Sequence, residues 1–192
     1  MKKILIIATG GTIASLPTEN GLSPNIDSQQ LIACVPEIEK YCEVSAVQPF
    51  NLDSTNMNYR HWLEVSRLIR REYDNYDGFV ITHGTDTMAY AAATMSYLIQ
   101  NSLKPVVFTG AQKSISEKDT DARGNLINAV IYASDDRAHG VKLVFDGKVI
   151  AGTRARKTRT KSYNAFASID YPEIAVIRSG RLHYYIEDRP EG

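Results

Sequence analysis

The sequence predicts a doubly wound α/β fold, a mostly parallel open sheet with helices on both faces. Three observations predict it. Short apolar runs recur along the chain, several of them closing on glycine. Stretches of helical length and helical apolar spacing lie between them. The alternation of run and helix is the pattern of strands joined by covering helices, which buries both faces of a sheet.

KILIIAT (3–9) is dense in Ile and Leu and stops at Gly10-Gly11, so it reads as a fully buried strand. SLPTENGLSPN (15–25) is the long irregular stretch, predicted to be a mobile functional loop. CEVSAVQ (42–48) alternates, as a strand nearer an edge does. Asn58 is placed to cap a helix carrying Trp62, Val65, Leu68 and Ile69 on one face. GFVITHG (78–84), PVVFTG (105–110) and VKLVFDG (141–147) are further strands ending in glycine. AYAAATMSYLIQ (89–100) and ARGNLINAVIYAS (122–134) are helices by propensity. Doubly wound, flavodoxin-like topology then sets 3–9 centrally, between 42–48 and 78–82, with the switch point beside it.

With 22 basic and 22 acidic side chains, the chain has no net charge to draw it to nucleic acid or an anionic membrane. The N-terminal apolar run breaks at glycine too early for a membrane span. Cys34 and Cys42 read as reduced thiols of a cytoplasmic protein. His61, His83, His139 and His183 have no metal-ligand spacing.

Ligands of open α/β sheets bind beyond the carboxyl ends of the strands. Three turns there resemble one another: ATGGTIAS (8–15), THGTDT (82–87) and TGAQKS (109–114). Each offers glycine for close backbone approach and hydroxyl or N–H groups. Neither G-x-G-x-x-G nor G-x-x-x-x-G-K-[ST] occurs, and Asp86 would repel phosphate, so a small neutral or zwitterionic ligand fits better than a nucleotide. Thr12 and Thr85 are the candidate nucleophiles, each needing a base. Plain structural roles compete at every position: a helix cap for Thr12 and for Asp86, a loop-holding imidazole for His83, a surface charge for Lys157 within the basic run Arg154, Arg156, Lys157, Arg159, Lys161.

TGGTIAS (9–15), DSTNM (53–57), HGTDTM (83–88), TGAQ (109–112) and GTRARKTRTKSYNAF (152–166), followed by YP (171–172), resemble in order the motifs of the bacterial L-asparaginase family, particularly its cytosolic type I branch. The likeness runs from Lys3 to about Tyr185. It implies hydrolysis of L-asparagine to L-aspartate and ammonia with no metal or cofactor. Thr12 would be the nucleophile, with Thr85, Asp86 and Lys157 as a second group that activates water or relays protons. Ser54, Thr55 and Asp86 would hold the charged ends of the substrate. Ala111 would offer its carbonyl to the amide, and the Gly11 N–H would help bind the oxyanion. The partners implied are the small-molecule substrate and further copies of the chain in a homo-oligomer, with neither nucleic acid nor membrane.

Two departures accompany the resemblance. Residues 13–25 lack the tyrosine that the family places after the nucleophile, which leaves Glu19 as the ionisable side chain there. Residues 1–182 correspond to the family's N-terminal domain and 183–192 to its interdomain linker, with the usual smaller C-terminal domain absent. A glutaminase-type amidotransferase subunit and a non-catalytic asparagine- or aspartate-binding module are the alternatives.

Overall fold

The computed structural model describes residues 1–18 and 21–190. The first strand, β1 (Lys3–Ala8), is followed by a hairpin of β2 (Ser15–Thr18) and β3 (Gly21–Pro24), then helix α1 (Ser28–Ala33) and β4 (Glu43–Val47). Helix α2 (Tyr59–Glu72), β5 (Gly78–Thr82), α3 (Met88–Leu98), β6 (Pro105–Thr109) and α4 (Ala122–Ala133) come next. The last third holds β7 (Gly140–Phe145), β8 (Lys148–Ala151), the short pair β9 (Ala155–Lys157) and β10 (Phe166–Ser168), then β11 (Ala175–Arg178) and β12 (Arg181–Tyr184).

Eight strands form one sheet in the order β12-β11-β8-β7-β6-β5-β1-β4. From β4 through β7 all pairings are parallel, with β1 between β4 and β5 as expected. The chain leaves β1 towards β4 on one side and returns to β5 on the other, so the switch point lies between β1 and β5.

Successive residues of a strand face opposite sides, and each central strand is apolar on both. Ile4, Ile6, Val80, Val107 and Val144 pack with Leu31 of α1 and with Leu126 and Val130 of α4. Leu5, Ile7, Phe79, Ile81, Phe108 and Phe145 pack with Val65 and Ile69 of α2 and with Met88, Ala92 and Met95 of α3. Each such side chain, taken fully from water, contributes about 1.5–3 kcal/mol. Asn58 caps α2 as the sequence suggests: its side chain accepts from Arg60 N–H at 3.0 Å, and His61 Nδ1 accepts from Asn58 N–H at 3.0 Å.

Two expectations are corrected. The run 141–147 is a parallel strand only as far as Phe145. Asp146 and Gly147 then both adopt positive φ, 50° and 72°. That is the backbone of a tight hairpin turn whose twist matches the flanking strands. The chain therefore reverses into β8, and β8, β11 and β12 make an antiparallel wing. Within 15–25, expected as an irregular loop, Ser15–Thr18 and Gly21–Pro24 instead pair as antiparallel strands, Ser15 opposite Pro24 and Thr18 opposite Gly21. Glu19 lies outside the described residues.

Candidate active site

Beyond the carboxyl ends of β1 and β5, three turns nest backbone against backbone. A side chain carbon on Gly11 would meet Gly84 N at 2.5 Å and Gly84 Cα at 2.6 Å. One on Gly84 would meet Ser54 Cβ at 2.6 Å. Gly11 also sits at φ 83°, ψ 179°, a region open in practice to glycine alone. The glycines of TGGT and HGTD thus let the first two turns touch, and Ser54 closes the stack from the third.

Hydrogen bonds lock the nest. Gly10 bridges to Leu52, Gly11 N–H donates to Leu52 O at 3.0 Å, and Leu52 N–H donates to Thr9 O at 3.0 Å. Asp53 caps the single turn Ser54–Asn56, accepting from Thr55 N–H at 2.9 Å and Thr55 Oγ1 at 2.8 Å. Thr87 Oγ1 donates to Ser54 O at 2.9 Å. His83 is buried; its Nδ1 is 2.8 Å from Gly84 O, which makes Nδ1 the protonated nitrogen, since a carbonyl only accepts. Burial lowers its pKa to about 4, against the raising effect of the Gly84 contact. It is therefore a neutral brace at neutral pH and holds the turn that bears Thr85.

The nest encloses a cavity of about 160 Å³ lined by Gly11, Thr12, Ser15, Asp53, Ser54, Gly84, Thr85 and Asp86. Thr12 opens the short turn Thr12–Ala14 that follows β1. Among the described residues no side chain is hydrogen-bonded to its hydroxyl, so that hydroxyl is available to a ligand. Thr85 is differently held. Lys157 Nζ donates to Thr85 Oγ1 at 2.9 Å and to Asp86 Oδ1 at 2.8 Å. Thr85 Oγ1 lies 3.3 Å from Gln112 Oε1, to which it donates. The Lys157 side chain is 16% exposed and that of Asp86 63%. By contrast Arg154, Arg156, Arg159 and Lys161 are all exposed. Lys157 is thus set apart from its basic neighbours by position, at the end of β9 where it turns inward.

Of the eight residues singled out in the sequence, Gly11, Thr12, Ser54, Thr85 and Asp86 line the cavity, and Lys157 joins them through Thr85 and Asp86. Thr55 and Ala111 do not line it. The Thr55 hydroxyl is committed to Asp53; Ala111, expected to contribute its backbone carbonyl, is buried in the core cluster. The Gly11 N–H, expected to help bind an oxyanion, donates to Leu52 O instead. The cap of α3 falls to Thr87, without a side-chain bond, rather than to Asp86, which is turned to Lys157. Asp53, Ser15 and Gln112 are the residues that sequence reasoning passed over. Asp53 was signalled by the D-S-T pattern of a capped turn. Ser15 and Gln112 carry no local signal; their relevance comes from long-range packing.

A family model described as asparaginase, N-terminal, matches residues 3–189. The chain is 37% identical over 181 residues to an L-asparaginase of Thermococcus kodakarensis, covering 94% of this chain and 55% of that protein. It is 35% identical over 178 residues to L-asparaginase 1 of Escherichia coli, covering 90% and 52%. A glutamyl-tRNA(Gln) amidotransferase subunit of Pyrococcus furiosus is 36% identical over 203 residues, covering 98% and 46%. The chain therefore spans about half the length of the curated relatives it matches. Among solved structures, the thermostable L-asparaginase from Thermococcus kodakarensis superposes with a TM-score of 0.91 at 35% identity, covering 98% of this chain and 58% of that one. A probable cytoplasmic L-asparaginase from Campylobacter jejuni gives 0.88 at 33% identity, with the same coverage.

Proposed function

The chain belongs to the asparaginase family, and on that premise we propose that it hydrolyses the side-chain amide of L-asparagine to L-aspartate and ammonia. The observation that carries the reading is the pairing of two differently prepared threonines at one small cavity. Thr12 has a hydroxyl free for bond formation; Thr85 has one fixed by Lys157 and Gln112.

In this reading Thr12 Oγ attacks the amide carbon, its proton passes to the amide nitrogen, the C–N bond breaks and ammonia leaves. Water then attacks the ester, the bond to Thr12 Oγ breaks, aspartate departs and the proton returns to Thr12. Both steps build an oxyanion, which fixed N–H donors stabilise. With the Gly11 N–H engaged, the next N–H along the chain, that of Thr12, takes this role; it begins a helical turn and has no partner within it. Asp53 and Asp86 line the cavity and their carboxylates suit the substrate ammonium, while the Ser54 hydroxyl suits its carboxylate. Lys157 keeps Asp86 and Thr85 in register and polarises the Thr85 oxygen.

Cytoplasmic residence is part of the reading: Cys34 and Cys42 are both free thiols, and no helix of the described residues is long and apolar enough to cross a membrane. So is self-association, for which Tyr90 and Tyr97, each 69% exposed and two turns apart on α3, offer a face.

Steady-state ammonia release from asparagine and from glutamine tests the reading. Asparagine is expected to be turned over, and Thr12→Ala and Thr85→Ala to lose at least about 100-fold in kcat, the scale of losing a positioned group in the transition state. Each should unfold within about 1–2 kcal/mol of the parent, the range for one lost hydroxyl contact. Binding of aspartate without any turnover would make the chain a binding module, and a preference for glutamine would favour the amidotransferase type.

A further inference from the structure

We propose that Gln112 is a positioning residue of this site, which aims the Thr85 hydroxyl so that Thr85 acts as a hydrogen-bond acceptor towards the cavity. Its kinetic consequence rests on the amidohydrolase reading above; its structural content does not.

The inference starts from donor and acceptor counting. A threonine hydroxyl has one proton and two lone pairs, and a lysine ammonium has protons only. Lys157 Nζ, 2.9 Å from Thr85 Oγ1, must therefore donate and occupy one lone pair. The Thr85 proton cannot point back at Lys157. Its acceptor is Gln112 Oε1 at 3.3 Å. One lone pair remains, and it is all that Thr85 can offer to a donor in the cavity it lines.

The Gln112 amide has no freedom to answer otherwise. Its Nε2 donates to Thr160 O at 3.1 Å and to Ser162 O at 3.0 Å. Turning the amide over would set its oxygen against two carbonyl oxygens and present an NH2 group to Thr85, which would then lose its acceptor. The network fixes the orientation. The main chain is held as firmly: the Asp121 carboxylate accepts from Gln112 N–H at 2.9 and 3.1 Å and from Lys113 N–H at 3.0 Å. At 3.3 Å the Thr85 bond is long for a hydroxyl, so its strength depends on the aim of the carbonyl, and that aim is what these contacts hold.

The same side chain reaches the segment that follows Lys157. Thr160 and Ser162 lie three and five residues beyond Lys157 in the loop between β9 and β10. Gln112 therefore sets the donor side of Thr85 directly and braces the loop that delivers Lys157 to its acceptor side. Without it, the Thr85 proton has no other protein acceptor among the described residues. It swings towards the cavity and donates to the group from which it should accept.

Two variants separate this role from loop tethering. Gln112→Met keeps the length of the side chain and removes the acceptor and both donors. Gln112→Glu keeps an acceptor oxygen and loses the donors to Thr160 and Ser162. On asparagine, Gln112→Met is expected to lower kcat roughly three- to tenfold, the worth of one hydrogen bond, with KM changed less than about twofold because ground-state binding is untouched. Gln112→Glu is expected to regain part of that rate. An unchanged kcat in Gln112→Met, or a Gln112→Glu variant as slow as Gln112→Met, overturns the proposal, since tethering alone would make the carboxylate the worse replacement.

A second readout needs neither turnover nor a folded variant. Three-bond couplings at Thr85 in a methyl-labelled parent chain are expected to give a single side-chain rotamer; averaged couplings in the parent overturn the proposal. A parent chain that holds one Thr85 rotamer yet releases no ammonia defeats the amidohydrolase reading and leaves the positioning intact.

Discussion

Gly11→Ala is the substitution on which the geometry bears most sharply. The added carbon would lie 2.5 Å from Gly84 N, 2.6 Å from Gly84 Cα and 3.0 Å from His83 C, all backbone atoms without a rotamer to change. Ordinary contact between such atoms is about 3.5 Å, so the two turns must part by about 1 Å. Alanine also tolerates φ 83° with ψ 179° poorly, at a cost of about 1–3 kcal/mol. The displacement falls between Thr12 and Thr85, the two groups that cooperate in the proposed reaction, and a shift of that size costs about 100-fold in rate. The expected phenotype is a folded chain, less stable by about 2–4 kcal/mol, with kcat for ammonia release down by about two orders of magnitude. Urea unfolding and steady-state kinetics on the same preparation measure both. A variant with near-parental kcat would mean that the site does not depend on contact between these turns, and the nested-turn account would fail.

Two further expectations concern the scaffold. His83 is almost wholly buried, and burial holds its pKa at about 4 rather than 6.5, so the unfolded chain binds a proton there before the native one does. Stability from this group is full above about pH 6.5 and is lost as pH falls towards 4, by about 3 kcal/mol in all; His83→Gln should flatten that part of a stability–pH curve, and an unaltered slope would clear His83 of the role. Asn125, buried in α4, donates to Gly110 O at 2.9 Å and accepts from Asp146 N–H at 2.9 Å. Asn125→Leu strands both backbone groups and should cost about 2–5 kcal/mol by urea unfolding; a loss below about 1 kcal/mol would show that water or a shifted backbone satisfies them.

Much of the frame is legible because burial leaves a plain mark on sequence. Ile4 to Ile7 are apolar on both faces since both faces are covered, and Asn58 is polar where a helix must begin. The hairpin at Asp146-Gly147 was equally legible as an aspartate–glycine turn between apolar runs, but a glycine-terminated strand looks the same when its neighbours set the expectation. The β2–β3 hairpin was not: Pro17, Gly21 and Pro24 are residues of loops and of edge ribbons alike. At the site, glycine and threonine mark the turns, and the motifs bring Thr12, Thr85 and Lys157 into one hypothesis. What they cannot carry is direction. Whether the Gly11 N–H points at a ligand or at Leu52, and whether Thr55 faces the cavity or Asp53, depends on how separate segments come to rest against each other. Gln112 escaped notice for the same reason, being defined by Thr160 and Ser162 some 50 residues along the chain.

The β9–β10 ribbon has a consequence for how the molecule is made. It leaves after β8 and returns before β11, two strands that lie side by side in the sheet, so the sheet can close without it. Lys157 then meets Thr85 and Asp86 across 72 and 71 residues of chain, while Phe166 beds against Phe145 with ring centres 4.9 Å apart. Contacts between such distant segments form slowly. For a chain emerging from denaturant, completion of the sheet and docking of the ribbon are therefore expected to be separate events. Trp62, the single tryptophan, rides on α2 and reports when that helix packs. Ammonia release, in the proposed reaction, would report when the ribbon has docked. An interval between the two signals would be the lifetime of a species with a closed sheet and a Thr85 not yet met by Lys157; coincident signals would mean that sheet and ribbon form together.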